Sequence, residues 1–400
     1  MANALRAHFF CALHIIFTGL DAFCLYLKSI NKGFLGIYAQ DDLHGLTAAS
    51  TSIMAKDVRF RSHPIHMFLL SRTLLKLLTG ICLASLVVPQ GYAAELNVAA
   101  SDIGAGAQPA GGGLVDVIHS QQRLEKALAD QGVRVKWHFF KGAAPLINEA
   151  FANGQLDVAY LGDLGSIIGK SAGLDTRVIA AAARGGNHYL AVAPGSPIRS
   201  VADLRGKRIG LFRGTAAQMS FTAALHTAGM TEKDLNVINL DFAAASAALG
   251  ARQIDATWGG MNILALRERG QAEVPFSTHS LGGVGELSGL VLVSGRLLNE
   301  HSDWVRAIVA TQREAAAWTV QNRDAYIQLS AEQTSYPEAL LRADLDASAP
   351  LAEVVSPELD AAFVARLQAD VNAAREGRLI RRDIDVRKWL APQFLQQTAH

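Results

Sequence analysis

Strand and helix patterns alternate through the larger, C-terminal part of the chain, and this alternation limits the fold more than any other feature. Short apolar or β-branched runs such as Val133 to Phe140 are followed by segments of helical spacing such as Ala144 to Ala152. A second series of such pairs begins near Tyr189, and the pattern is almost wholly helical from Ser302, including Pro357 to Glu376. Alternating strands and helices form βαβ units, so we predict an α/β protein with mostly parallel sheets flanked by helices.

The two series predict two lobes. No linker rich in Gly, Ser or Pro separates them, so we expect strands near Tyr189 to Ala193 and Glu286 to Val293 to cross between the lobes. The predicted boundaries place residues 94–189 and 290–400 in lobe 1 and residues 190–289 in lobe 2. Ligands of such sheets lie beyond the carboxyl ends of the strands, so a ligand cleft is expected between the lobes.

Residues 67–93 have the three parts of a cleavable signal peptide. Arg72 and Lys76 precede the uncharged apolar run Leu77 to Val88, and small residues at Gly91 and Ala93 end the segment. The run is shorter than the roughly 20 residues that span a bilayer, although a membrane anchor is the alternative. We therefore predict cleavage near Ala93–Ala94 and a periplasmic mature protein.

Residues 1–66 precede this signal and are predicted to be an upstream extension outside the fold. Translation is then expected to start at Met67. The apolar segment Phe9 to Leu27 contains His14 and Asp21, which are costly in lipid. A weak transmembrane helix is the alternative for this segment.

Composition excludes several classes of function. The formal net charge of +1 gives no electrostatic reason to expect a nucleic-acid partner. All three cysteines, Cys11, Cys24 and Cys82, precede the predicted cleavage point. The mature chain therefore cannot form disulfides, thiolate nucleophiles or cysteine-rich metal sites.

Enzyme motifs are broken or missing in the mature sequence. Pro109 takes the place of the third glycine in the dinucleotide-like run that begins at Gly104, and Phe212 to Thr215 lacks the lysine of a P-loop. The histidines are scattered without the spacing of metal ligands. We predict no catalytic residues, no metal and no cofactor.

Several predicted strand-to-helix turns are built from small residues, which lets an anion approach the backbone N–H groups of a helix N-terminus. The alternative is that glycine in these turns only serves turn geometry. Thr215 adds a hydroxyl donor, and Arg213 or Arg184 adds a charged donor. The turns are Lys141-Gly142-Ala143-Ala144, Leu161-Gly162-Asp163, Arg213-Gly214-Thr215-Ala216 and Trp258-Gly259-Gly260.

Two interpretations are open for each of three residues of the predicted cleft. Asp163 is either the N-cap of the helix from Leu164 or a contact for the ammonium group of a zwitterion. Glu286 is either a solvated loop residue or a second such contact. Trp258 is either a core or wall residue or a flat face for the apolar carbons of a ligand.

The sequence also carries an ordered set of segments that resemble one known family. The segment Gln155 to Asp163 and the more specific segment Gly195 to Ile209 are similar to its motifs, and Gln253 to Ala256 resembles the stretch before its cleft-lining tryptophan, here Trp258. Residues 95–390 resemble the substrate-binding components of ABC importers for sulfonates, taurine and nitrate.

The resemblance implies a type II-like, two-lobed periplasmic-binding-protein fold that closes on its ligand. It implies a monomer that delivers a small anion or zwitterion to a membrane permease driven by a separate ATPase subunit. By position, the residues that would line the site are Lys141, Gly142, Ala143, Ala144, Gly162, Asp163, Arg184, Gly214, Thr215, Ala216 and Trp258.

Departures from the family pattern leave the ligand open. Gly259 and Gly260 stand where sulfonate binders commonly have Asp and Pro. An aliphatic sulfonate, taurine or a sulfate ester is favoured, and nitrate and a pyrimidine precursor are alternatives. The rival function is an enzyme or binder on the same scaffold that acts on a pyrimidine or thiamine precursor.

Overall fold

The computed structural model of the protein describes residues 94–141 and 143–396. The predicted upstream extension, the predicted signal peptide and Gly142 lie outside the described residues. Among the helices that are described, none combines the length and the apolar character that a bilayer crossing requires.

The described residues contain nine strands in two sheets. The strands are β1 (Ala94–Ser101), β2 (Val133–Phe140), β3 (Val158–Gly162), β4 (Thr176–Gly186), β5 (Tyr189–Val192), β6 (Arg208–Leu211), β7 (Asn236–Asn239), β8 (Ala256–Gly259) and β9 (Leu287–Ser294). The first sheet has the order β2-β1-β3-β9-β4 and the second has the order β5-β8-β6-β7.

Both sheets mix parallel and antiparallel pairs. In the first, β1 is parallel to β2 and β3, whereas β9 is antiparallel to β3 and β4. In the second, β6 is parallel to β7 and β8, and β5 is antiparallel to β8. Strands β5 and β9 are antiparallel to their neighbours, and each is the first strand after the chain passes from one sheet to the other. The α/β fold with strands flanked by helices is confirmed.

Helices connect the strands and complete the C-terminal part of the described chain. They are α1 (Gly113–Ser120), α2 (Arg123–Leu128), α3 (Ala143–Ala152), α4 (Asp163–Ala172), α5 (Ala216–His226), α6 (Phe242–Gly250), α7 (Met261–Glu268), α8 (Gly295–Glu300), α9 (Ser302–Gln321), α10 (Arg323–Thr334), α11 (Glu338–Asp346), α12 (Leu351–Val354), α13 (Ala361–Glu376), α14 (Val386–Trp389) and α15 (Gln393–Gln396).

The start of α13 differs from the sequence prediction. The helix begins at Ala361 rather than at Pro357, because Asp360 is the N-cap and its carboxylate accepts a hydrogen bond from the Phe363 N–H at 2.8 Å. The same carboxylate pairs with Arg184 on β4. A tertiary ion pair thus adds to the local capping bond at this position.

Both faces of the first sheet are covered. Its two apolar cores bury large residues such as Ile118 on α1 and Trp389 on α14. Burial on both faces explains why β3 is a continuous apolar run rather than an alternating one. The second sheet has its own cores, one of which includes Leu340 from α11. The C-terminal helices therefore pack against both sheets.

The first passage between the sheets, residues 187–188, is short, whereas the second, residues 260–286, includes α7. The first sheet uses residues 94–186 and 287–294, and the second uses residues 189–259. Met219 of α5 packs into a core of the first sheet, although α5 follows a strand of the second. The exact lobe boundaries stay a prediction, which limited proteolysis of the purified protein would test.

Candidate functional site

The carboxyl ends of the parallel strands define one edge of each sheet. In the first sheet, β1, β2, β3 and β4 end at the same edge, where β9 begins. In the second, β6, β7 and β8 end at the same edge, where β5 begins. Helices α3 and α4 start at the first edge, and α5 and α7 start at the second. These edges are where such sheets place ligands.

The two edges are in contact through the predicted turns. A Cβ atom added at Gly162, before α4, would lie 2.8 Å from the Cβ of Ala216, the first residue of α5. A Cβ atom added at Gly214 would lie 3.5 Å from the Cγ of Pro145 in α3. Three of the four predicted turns, at the starts of α3, α4 and α5, are therefore brought together.

Gly165 sets the approach of α3 to α4. A Cβ atom added there would lie 2.3 Å from the Cβ of Ala144, which is closer than nonbonded carbon atoms can come. Ala143 begins α3 at a φ of 47°, so the chain turns sharply into this helix. Small residues at these positions place the starts of α3 and α4 side by side.

The starts of α4 and α5 lack side-chain caps. The N-caps are Gly162 and Thr215, and neither side chain caps its helix. By contrast, Asp241 caps α6 with a bond of 2.7 Å to the Ala244 N–H. First-turn amides have no partner within their own helix, and the macrodipole adds positive potential there. The contact between the sheets therefore brings together backbone N–H donors that can bind an anion.

The turn before α5 also has internal hydrogen bonds that the sequence analysis did not predict. The Thr215 hydroxyl donates to the Phe212 carbonyl oxygen at 2.7 Å, so it is not a free donor in this structure. The Gly214 N–H donates to Oε1 of Gln218 at 2.9 Å. Gln218 was missed as a site residue, although a glutamine at the third position of a helix is a known capping signal.

The two predicted arginines and Lys141 are placed differently from the amides. The Arg213 guanidinium pairs with Glu232 at 2.9 Å. The Arg184 guanidinium pairs with Asp360 at 2.7 Å and donates to the carbonyl oxygen of Ser356 at 3.2 Å. Both arginines therefore have acidic partners in the protein. Lys141 is exposed at the end of β2.

The structure corrects the prediction that the Trp258 ring lines the cleft. Its side chain is only 1% exposed and lies in a core of the second sheet. The indole Nε1 donates to the Ser220 hydroxyl at 3.1 Å, and the ring packs against Phe221 and Phe276. The core alternative fits Trp258, because β8 turns this side chain toward α5 instead of toward the other sheet. Gly259, which follows it, is buried as well.

Asp163 is bonded within the first lobe. The side chain is 2% exposed, and Oδ2 accepts a hydrogen bond from the Ser288 N–H on β9 at 2.8 Å. Oδ1 accepts from the Leu164 N–H at 2.6 Å. Burial, together with the nearby carboxyl group of Asp370, raises the pKa of this carboxyl group to about 7. The N-cap position itself belongs to Gly162.

Glu286 lies at the passage that leads into β9. A Cβ atom added at Gly283 or at Gly185 would lie 3.4 and 3.5 Å from its carboxylate, so this side chain sits against two glycines. The carbonyl oxygen of Glu286 accepts a hydrogen bond from Arg366 on α13. Glu286 is half-buried, and it lies at the edge of the first sheet where the predicted cleft begins.

Two other kinds of site were considered within the described residues. Residues 94–141 and 143–396 contain no group of three or more His, Asp or Glu side chains that could hold a metal ion. A surface pocket of about 450 Å³ lies beside Pro194, Arg252 and Arg269, at the edge of the second sheet opposite the turns. The pocket is therefore not formed by the residues of the predicted site.

Comparison with known proteins agrees with the fold described above. A family model described as NMT1/THI5 like matches residues 128–325. A protein of Escherichia coli K12 named a putative aliphatic sulfonates-binding protein is 26% identical over 311 residues, which cover 77% of this chain and 94% of that protein. The predicted family resemblance is confirmed. The chain is similar to proteins named as sulfonate-binding proteins.

Solved structures extend the comparison to the fold. A periplasmic sulfonate-binding protein of Methylobacillus flagellatus KT is similar with a TM-score of 0.65 and 26% identity over 76% of this chain and 93% of that one. The desulfurization enzyme DSZB is similar with a TM-score of 0.58 and 15% identity over 76% of this chain and 98% of that one. The enzyme shares the fold alone.

Proposed function

We propose that the protein is a periplasmic receptor that binds a small organic oxyanion and delivers it to the permease of an ABC importer. An aliphatic sulfonate, taurine or a sulfate ester is the proposed ligand. The observation that carries this proposal is the contact between Gly162 and Ala216, which joins helix N-termini of the two sheets. The names of the relatives support the same ligand class.

Backbone amides are the proposed donors to the anionic head. In the first turns of α4 and α5 no N-cap side chain makes a capping bond, and first-turn N–H groups other than that of Leu164 are the proposed donors from opposite sides of the cleft. Such neutral donors bind a fully ionised acid without leaving an unpaired protein charge when the cleft is empty. A ligand that bonds to both sides stabilises the closed arrangement, because only that arrangement satisfies all its oxygens.

The predicted site residues are divided by their contacts. Residues proposed to face the ligand through backbone amides or small side chains are Lys141, Ala143, Ala144, Gly162, Gly214, Thr215 and Ala216, and Gly142, which lies outside the described residues, stays a sequence prediction. Residues proposed to support the cleft from behind are Asp163, Arg184, Arg213, Trp258, Gly259 and Glu286. We propose binding without catalysis, by a monomer.

A ligand screen tests the function. Purified protein is titrated calorimetrically with ethanesulfonate, taurine, ethyl sulfate, nitrate and a hydroxymethylpyrimidine. Thermal shifts are measured in parallel, because a ligand at 100 times its Kd stabilises the native state by about 2.7 kcal/mol. We expect saturable binding of a sulfonate, taurine or the sulfate ester. Binding of the pyrimidine alone, or of none of these compounds, contradicts the proposal.

A further inference from the structure

A chain of four polar groups fixes the turn before α5. The Arg213 guanidinium donates to Oε2 of Glu232 at 2.9 Å, and Oε1 of Glu232 accepts from Nε2 of Gln218 at 2.7 Å. Oε1 of Gln218 then accepts the Gly214 N–H at 2.9 Å. The glutamine amide is bonded at both ends, so it cannot rotate without breaking one of these bonds.

The chain removes a donor from the proposed anion site. Gly214 immediately precedes Thr215, the N-cap of α5, and its N–H would otherwise be a further donor near the amide of Ala216. Gln218 is only 5% exposed, so water does not readily replace it. The Thr215 hydroxyl is also engaged, with the Phe212 carbonyl oxygen. The turn therefore offers fewer donors to a ligand than its sequence suggests.

The number of hydrogen-bond donors in the site affects the affinity for a sulfonate and the affinity for inorganic sulfate differently. A sulfonate carries one negative charge on three oxygens, and its fourth substituent is carbon, which needs no hydrogen bond. Inorganic sulfate carries two charges on four oxygens, all of which lose water on binding. A site with few donors leaves part of that desolvation uncompensated, and the loss is larger for the dianion.

We propose that Gln218 is a specificity-determining residue that withholds the Gly214 amide and thereby favours organosulfonates over inorganic sulfate. This inference rests on the proposed function. It assigns to Gln218 a role in choosing the ligand rather than in contacting it. Glu232 fixes the glutamine from the other side, and Arg213 fixes Glu232, whose side chain is 21% exposed.

Calorimetry on two anions tests the inference. Ethanesulfonate and sodium sulfate are titrated into the wild-type protein and into Gln218→Met, which keeps a similar volume but cannot accept the Gly214 N–H. The measured quantity is the ratio of the two Kd values. We expect the wild type to bind ethanesulfonate at least tenfold more tightly than sulfate. The variant should narrow that ratio by about tenfold or more, because one hydrogen bond to a charged group becomes available.

Gln312→Met is the matched control. Gln312 is also a fully buried glutamine, but its Nε2 donates to the Ala181 carbonyl oxygen in the first sheet at 3.2 Å. The control should leave the ratio of the two Kd values unchanged. A general loss of packing would instead weaken the binding of both anions together. Gln218→Asn, whose amide is too short to reach Gly214, replaces the methionine variant if circular dichroism shows that the latter is unfolded.

The outcomes separate the inference from the function. A ratio that favours ethanesulfonate in the wild type and is unchanged in the folded Gln218 variant overturns the inference and leaves the receptor function standing. Equal wild-type affinities for the two anions also overturn it. If the wild type binds neither ethanesulfonate nor sulfate, taurine and ethyl sulfate are titrated next, and failure of all four overturns the proposed function and the inference with it.

Discussion

Gly162→Ala is the substitution that most directly tests the contact between the two sheets. The backbone of Gly162 has φ −67° and ψ 160°, which alanine adopts without strain. The added methyl group would lie 2.8 Å from the Cβ of Ala216. The local fold of the first sheet should therefore tolerate alanine. The added methyl group should instead push the start of α4 away from the start of α5.

The size of the effect follows from the distances. Carbon atoms pack at about 3.5–4.0 Å, so the starts of α4 and α5 must separate by roughly 0.7–1.2 Å. A hydrogen bond of about 2.9 Å that spans the cleft then lengthens beyond the useful range. Loss of one bond to a charged oxygen costs about 1.5–3 kcal/mol, so the Kd for ethanesulfonate should rise about ten- to a hundredfold.

Isothermal titration calorimetry measures this Kd, and thermal unfolding without ligand checks that the variant is folded. Gly250→Ala is the control, because an added Cβ at Gly250, the last residue of α6, meets no atom within 4 Å. The control should bind as the wild type does. A folded Gly162→Ala protein with wild-type affinity would refute the placement of the ligand between Gly162 and Ala216.

The remaining predictions concern stability and export. Gly165→Ala should lower the free energy of unfolding by about 1–3 kcal/mol in urea titrations, because its methyl group collides with Ala144; unchanged stability would contradict the tight packing of α3 on α4. The raised pKa of Asp163, about 7, means that the folded state binds this proton more tightly than the unfolded state, so the stability it adds below the ordinary pKa is lost as pH rises through 7. Asp163→Asn should therefore reduce the loss of stability between pH 5 and pH 8, by up to about 2–3 kcal/mol, and an identical pH profile for both proteins would count against the buried charge. Trp258→Phe should cost about 1–3 kcal/mol of stability by leaving its serine partner unbonded, yet change the ethanesulfonate Kd less than threefold; a large loss of affinity would restore Trp258 to the cleft wall. Mass spectrometry of an osmotic-shock fraction should find a mature protein that starts near Ala94, and a protein found only in membranes with its leader retained would show that the segment is an anchor.

The sequence alone was sufficient to predict the order of strands and helices. Apolar runs such as Leu156 to Leu161 and helical spacing such as that after Ser302 are local patterns, and burial of a strand or of one helix face produces them directly. The small residues before α4 and α5 also predicted that these turns belong together, since parallel strands end at a common edge. The resemblance to sulfonate-binding proteins came from ordered local segments of the same kind.

The tertiary structure alone decided where the side chains of the site point. Asp163 bonds to Ser288, which is 125 positions away, and Trp258 bonds to Ser220 on α5. The bond between Gln218 and the Gly214 amide is local, but its effect depends on the contact that brings α4 against α5. Local sequence fixes which segments form, because it sets hydrophobic period and turn geometry. The partners of a buried polar group are set by packing between distant segments, which no local pattern records.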